Sequence, residues 1–149
     1  MQIAGFQTNY RLASHLLTAG FQYSHDKIKD ETAAETAYYL DEVYKNAGIF
    51  IQDNLHFGSD EQVEFVVGVR VDNHSELSDW IVSPRINGKF EISDGWKLRA
   101  AYTTGFKPPQ TYDEDLHLCG LEGDQRIIRN SDELKEERSH SYSGGVEFN

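Results

Sequence analysis

Val63-Glu64-Phe65-Val66-Val67-Gly68-Val69-Arg70-Val71-Asp72 decides how the rest of the chain is read. Val63, Phe65, Val67, Val69 and Val71 share one parity, and Glu64, Val66, Gly68, Arg70 and Asp72 share the other. Successive side chains of a strand point to opposite faces, so this period of two gives one apolar and one mainly polar face. After a polar turn region at 73–79 the pattern returns. Trp80, Val82, Pro84, Ile86, Phe90 and Ile92, with Gly88 among them, alternate with Ser83, Arg85, Asn87, Lys89 and Glu91. Ser93-Asp94-Gly95 reads as a tight turn, its glycine placed where a positive φ is needed. Trp96, Leu98, Ala100, Tyr102 and Phe106 then alternate with Lys97, Arg99, Ala101, Thr103 and Gly105. The three apolar sets are predicted to share one side of a sheet, with Val67 and Leu98 projecting together.

Working outward, Leu17, Ala19, Phe21 and Tyr23 alternate with Leu16, Thr18, Gly20 and Gln22. Residues 48–57 read as a strand whose facing stays open, because Asp53 falls in phase with Ile49, Ile51 and Leu55. Tyr142, Gly144, Val146 and Phe148 alternate near the end, and residues 2–10 add a strand at the start, for seven in all. The connections at 11–14, 58–62 and 93–95 are short. Those at 26–46 and 107–138 are long, polar and net acidic, and 73–79 is intermediate. Short turns on one side and long loops on the other mark a bacterial outer-membrane barrel. The fold class is therefore all-β: antiparallel up-and-down strands of a transmembrane β-barrel. Aromatics at Trp80, Phe90, Trp96, Phe106, Tyr142 and Phe148 suit interfacial girdles. The opposite face suits a wet lumen, since its charges would be costly in a dry core. A soluble antiparallel sheet with one wet face has the same alternation.

Composition narrows the function. The formal net charge is −11, from 14 basic and 25 acidic residues. Binding nucleic acid requires a cationic footprint, so a nucleic-acid partner is not expected. No apolar run is long enough for a transmembrane helix, but a strand crosses with about 9–11 residues and keeps overall hydropathy low. The segment from Met1 to Phe6 has no charged or long apolar region and is not read as a signal peptide. An exported chain without its signal is expected to be a piece of a longer protein. Cys119, the single cysteine, is read as an incidental loop residue.

Five motifs, in order, carry a resemblance. Gly48-Ile49-Phe50-Ile51-Gln52-Asp53 looks like a Gly-x-Phe-x-Gln-Asp strand. Val67-Gly68-Val69-Arg70-Val71-Asp72-Asn73-His74 resembles a Gly-x-Arg-x-Asp-x-His element. Ser83-Pro84-Arg85 opens the next strand. Leu98-Arg99 followed by Gly105-Phe106-Lys107-Pro108-Pro109 forms a fourth. Leu134-Lys135-Glu136-Glu137 is similar to a Leu-x-Pro-Glu motif with Glu136 at the proline position. Residues 48–148 thus resemble the barrel of TonB-dependent receptors, especially those of Bacteroidetes. The resemblance implies a barrel of about 22 strands, with an N-terminal plug and a box that binds TonB. Residues 1–149 then read as one partial barrel domain without plug or box. The implied function is the wall and extracellular loops of an energy-coupled receptor for a scarce nutrient, such as an iron chelate or cobalamin. Implied partners are outer-membrane lipid, the chelate substrate, the plug and TonB. Alone, an open sheet leaves two unpaired edges and is not expected to transport.

Candidate site residues follow. Asp113, Glu114, Asp115 and His117 cluster in the longest connection and are candidates for substrate contact, although their spacing fits no EF-hand. His74, at the outer rim, is a further candidate beside the plainer reading of a solvated rim histidine. Arg70, Arg85 and Arg99 are candidates for the lumen wall, in a ladder with Asp72 and Lys89. No metal site or cofactor is expected, because the histidines lie scattered without ligand spacing. A small lipid-modifying enzyme barrel is the alternative function, with Ser139-His140-Ser141 as its prompt; a soluble sheet acting as a binding module is the other. Neighbouring residues of a strand face opposite ways, so His140 does not activate either serine, and no enzyme is expected.

Overall fold

The computed structural model describes residues 1–32, 38–58, 62–93, 95–109 and 134–148. Seven strands form one sheet: β1 (Gln2–Leu12), β2 (His15–Thr32), β3 (Tyr38–Phe57), β4 (Val63–His74), β5 (Ile81–Ser93), β6 (Trp96–Lys107) and β7 (Glu137–Phe148). Each pairs antiparallel with the next in chain order. This is the all-β, up-and-down architecture expected from the alternation.

Register fixes the faces, because residues directly opposite across a ladder share a side. One continuous rung runs Tyr10–Leu17–Asp53–Val67–Ile86–Tyr102–Tyr142. Another runs Phe57–Val63–Phe90–Leu98–Val146. Val67 and Leu98 therefore project together, as predicted. The facing of β3 is also decided: Ile49, Ile51, Asp53 and Leu55 lie on the apolar side, and Phe50 and Gln52 on the other. The rungs climb across the sheet, since Tyr10 is near the short-turn end of β1 while Tyr142 is mid-strand in β7. Such stagger accompanies the strand tilt of barrels.

A single layer has almost no interior. Tyr44, Ile81, Asp72 and His74 are the buried side chains of the described residues, whereas Phe6, Phe21, Ile49, Ile51, Ile86, Trp96 and Val146 stay exposed on the apolar face. In water that face would be a liability; in a bilayer it meets lipid. Aromatic rings gather on it at the short-turn end. Phe65 meets Phe57 at 6.5 Å and Phe90 at 5.2 Å, both edge-on, and Trp96 meets Phe148 at 4.8 Å. Gly95 turns β5 into β6 with φ 85°, a conformation that a Cβ would strain.

Several sequence boundaries need correction. Most of 26–46 is not a loop: β2 continues to Thr32 and β3 begins at Tyr38. Alternation fails there because neither face of the hairpin lies in hydrocarbon, while backbone pairing simply continues from Asp26↔Tyr44 to Thr32↔Tyr38. Polar pairs support it, as Asp41 takes Lys27 at 2.8 Å and Lys29 at 3.5 Å. β4 runs on to His74 instead of turning at Asn73, and β5 begins after Trp80. β7 begins at Glu137, before the apolar alternation becomes visible. A bulge between Glu91 and Ser93 interrupts the β5–β6 register beside Ile92.

Candidate functional site

The polar face carries its densest network at the long-connection end. Gln22, Gly48, Asp72 and Ile81 form one rung across β2, β3, β4 and β5. Asp72, only 1% exposed, sits at its centre. Arg70 grips it as a fork: Nε donates to Oδ2 at 2.8 Å, and Nη2 donates to Oδ1 at 2.7 Å. Asn46 Nδ2 donates to Oδ1 at 2.8 Å. Arg70 also crosses β3, its Nη1 donating to Gln22 Oε1 at 3.0 Å. A charge-assisted fork is the strong form of such contact, and burial requires it.

Gly48 makes that crossing possible. A methyl group built on it would overlap both the Arg70 guanidinium and the Asp72 carboxylate. The glycine of the Gly-x-Phe-x-Gln-Asp motif therefore has a packing reason. Gly48→Ala is expected to displace Arg70 and cost about 1–2 kcal/mol through the lost Gln22 bond. Chemical denaturation of the refolded barrel would measure it; unchanged stability would show that the guanidinium has another low-energy path.

His74 is not the solvated rim histidine of the sequence reading. It is 8% exposed and stacks on Tyr44 with ring centroids 6.3 Å apart. The backbone N–H of Glu76 donates to its Nδ1 at 3.2 Å, which places the neutral ring's proton on Nε2. Ser75 prolongs the β3 pairing, with its N–H to Lys45 O at 2.9 Å, and so holds the start of the β4–β5 connection against the sheet. Asn46 Oδ1 is a buried acceptor with no partner among the described residues.

Arg85 and Arg99 share the face of Arg70. Arg99 Nη2 meets Glu147 at 3.0 Å, and Lys89 meets Glu64 at 3.5 Å. Lys89 and Arg99 lie directly opposite each other, so two cations adjoin in the middle of this row. Asn87, Ala101, Ser143 and Gly145 complete a depression of about 380 Å³ around them. The guanidinium of Arg85 makes no hydrogen bond or ion pair among the described residues. The predicted ladder thus consists of two separate clusters on one face.

On the apolar face His140 Nδ1 meets the Tyr102 hydroxyl at 3.0 Å, and Ser139 and Ser141 lie on the opposite side. His15 Nδ1 meets Asp53 Oδ2 at 2.7 Å, which accounts for an aspartate in phase with apolar neighbours. At the motif position usually held by proline, Glu136 accepts from Arg138 Nε at 2.8 Å; that bond holds its carboxyl below the usual range. Asp113, Glu114, Asp115 and His117 lie outside the described residues, as does Cys119.

Sequence reasoning missed Gln22, Asn46 and Gly48 as parts of one network, and Tyr44 as the stacking partner of His74. A signal existed, because the even positions 42–56 hold Glu42, Tyr44, Asn46, Gly48, Phe50, Gln52, Asn54 and His56, a face that is polar or aromatic at every position but Gly48.

Comparison with known proteins agrees with this geometry. A family model described as TonB dependent receptor-like, beta-barrel, matches residues 2–149. Two iron-regulated outer membrane virulence proteins of Vibrio cholerae serotype O1 are similar. One is 24% identical over 139 residues, spanning 90% of this chain and 21% of the relative. The other is 25% identical over 128 residues, spanning 86% and 19%. The crystal structure of the siderophore receptor PirA from Pseudomonas aeruginosa superposes with TM-score 0.76 at 18% identity, over 99% of this chain and 28% of that one. The chain thus spans about a fifth of the length of the curated relatives it matches.

Proposed function

Because the chain belongs to the TonB-dependent receptor-like β-barrel family, whose members are transporters and not enzymes, we propose that it supplies part of the wall and outer connections of a receptor importing a ferric siderophore. Its place is the bacterial outer membrane. The observation that carries the proposal is the two-faced register: seven strands keep one apolar face toward lipid and one hydrogen-bonded polar face toward a lumen. An iron chelate is favoured over cobalamin because the relatives are named for iron regulation and siderophore reception. The substrate, a plug filling the lumen, and energy from TonB belong to the proposal for the complete receptor. So does the Bacteroidetes character of the motifs, the relatives coming from Vibrio and Pseudomonas.

The test is import. Cells lacking the complete receptor should lose uptake of one ferric siderophore under iron limitation, and collapse of the proton-motive force should abolish the uptake restored by complementation. Loss of cobalamin uptake with ferric chelate uptake intact would overturn the substrate reading.

Asp113, Glu114, Asp115 and His117 are proposed to contact the chelate from the long β6–β7 connection, since long connections in compact proteins tend to be functional. Replacing all four with alanine is expected to weaken binding several-fold without reducing assembly. Affinity on membranes and heat-modifiable gel migration report the two separately. Unchanged affinity in a folded variant would remove the cluster from the site.

A further inference from the structure

We propose that His74 is a proton-sensitive latch: neutral, it holds the start of the β4–β5 connection against β3, and protonated, it releases it. The inference concerns an outer connection of the receptor and is independent of which chelate is imported.

Hydrogen bonds cluster where β4 leaves the sheet. The Ser75 N–H donates to Lys45 O at 2.9 Å, and the Lys45 N–H donates back to Ser75 Oγ at 3.1 Å. The Leu77 N–H donates to His74 O at 3.1 Å, and the Glu76 N–H to His74 Nδ1 at 3.2 Å. The last of these is the one a proton can break. A ring nitrogen that accepts the N–H two residues on does what a side-chain oxygen does in an Asx-turn. Once Nδ1 carries a proton it is a donor, and it then meets the Glu76 N–H donor to donor.

Burial sets the direction of the response. The ring is buried and stacked on Tyr44, on the lumen face. It lies past Asn73, where the outward parity of β4 first turns polar, and so beyond the part of the strand that crosses hydrocarbon. The ionisable groups facing it are Asp72 and Arg70 on β4, Glu76 in the connection, Tyr44 and Glu42 on β3, and Asp26 on β2 beyond Tyr44. β5 brings the apolar Ile81, opposite Asp72. Asp72 is engaged by Arg70 and Asn46, and Glu76 Oε1 accepts from Ser75 Oγ at 3.1 Å. Burial, the larger effect, holds the pKa of the ring below its ordinary value against the opposing pull of Glu76 and Asp72. Released, the ring meets solvent and takes a proton in its ordinary range. Neutral pH therefore favours the latched form, and falling pH the released one.

Release has a consequence because β3 runs on past this point, to Tyr38, while β4 stops at His74. Among the described residues, the bonds of Ser75, Glu76 and Leu77 are the only hydrogen bonds that tie 75–80 to a strand. Ser75 and Leu77 bond backbone to backbone whatever the pH, so the imidazole is the titrating member of the set. Its loss gives an outer connection of the receptor a second state, set by the pH outside the cell.

The test is amide exchange in the complete receptor in phosphatidylcholine nanodiscs. Mass spectrometry reads residues 75–77, corrected for the intrinsic effect of pH on exchange. From about pH 8 to about pH 5, the span over which histidines titrate, wild type should lose roughly tenfold in protection there, the scale of one such hydrogen bond. His74→Asn should stay protected at both ends, because its Oδ1 accepts the Glu76 N–H and does not titrate. His74→Phe keeps a ring against Tyr44 without the acceptor, and should be unprotected throughout. Heat-modifiable gel migration identifies the folded variants. Wild-type protection that ignores pH, or an asparagine variant as pH-sensitive as wild type, would overturn the proposal; the latter would assign the response to Glu76 or Asp72. Full protection in a folded phenylalanine variant would overturn it as well. Exchange is read without chelate, which separates failure here from failure of the import reading.

Discussion

Asp72→Ala should be among the most damaging single changes on the polar face, lowering barrel stability by about 2–4 kcal/mol. That is the scale for removing one partner of a buried pair, placed toward its lower part because Arg70 is 31% exposed and partly solvated. The loss has two sources: Arg70 keeps its charge without its fork, and Asn46 loses its acceptor while its own Oδ1 already lacks a partner among the described residues. Replacing both members, Arg70→Met with Asp72→Leu, should recover much of the loss, since a well-packed apolar pair avoids the desolvation penalty. Denaturant unfolding of the complete receptor in lipid, followed by tryptophan fluorescence, measures both. If the single variant were as stable as wild type, the network would be ornamental, and Gly48→Ala should then be harmless as well.

Ile51→Lys should cost about 2–4 kcal/mol, the depth-dependent penalty for a cation on the lipid face near the bilayer midplane. Gln52→Lys, one residue along, should cost close to nothing, because it faces the lumen. Ile51 pairs with Ala19 and Val69 well inside the apolar belt, and Gln52 pairs with Gly68. Both variants have the same charge and nearly the same height, so their difference isolates the facing of β3. Refolding yield into phosphatidylcholine vesicles and unfolding midpoints would be compared. Equal costs would contradict a lipid-facing odd parity and with it the orientation of the sheet.

The strands that cross hydrocarbon were legible because the bilayer writes its boundary condition into the sequence. A residue facing acyl chains must be apolar and its neighbour need not be, so β4, β5 and β6 announce themselves with the parity of Val63, Ile86 and Leu98. The outer halves of β2 and β3 were illegible for the complementary reason. From His25 outward both faces meet water or headgroups, no alternation is imposed, and Asp26 to Asn46 reads as polar linker although its backbone pairs throughout the described part.

The sequence by itself determined the architecture: strand number, antiparallel order, apolar parity and family resemblance, all consequences of local periodicity and short turns. Only the tertiary structure decided which side of β3 carries Asp53, that Asp53 pairs with His15, and that His74 is buried against Tyr44. Gathering Gln22, Asn46, Arg70 and Asp72 into one network also required it. Apart from the Arg70–Asp72 fork within β4, these contacts join residues on neighbouring or next-neighbouring strands, separated by as many as 48 positions. They depend on inter-strand register, which a period of two leaves undetermined by any shift of an even number of residues, because every such shift keeps the same faces.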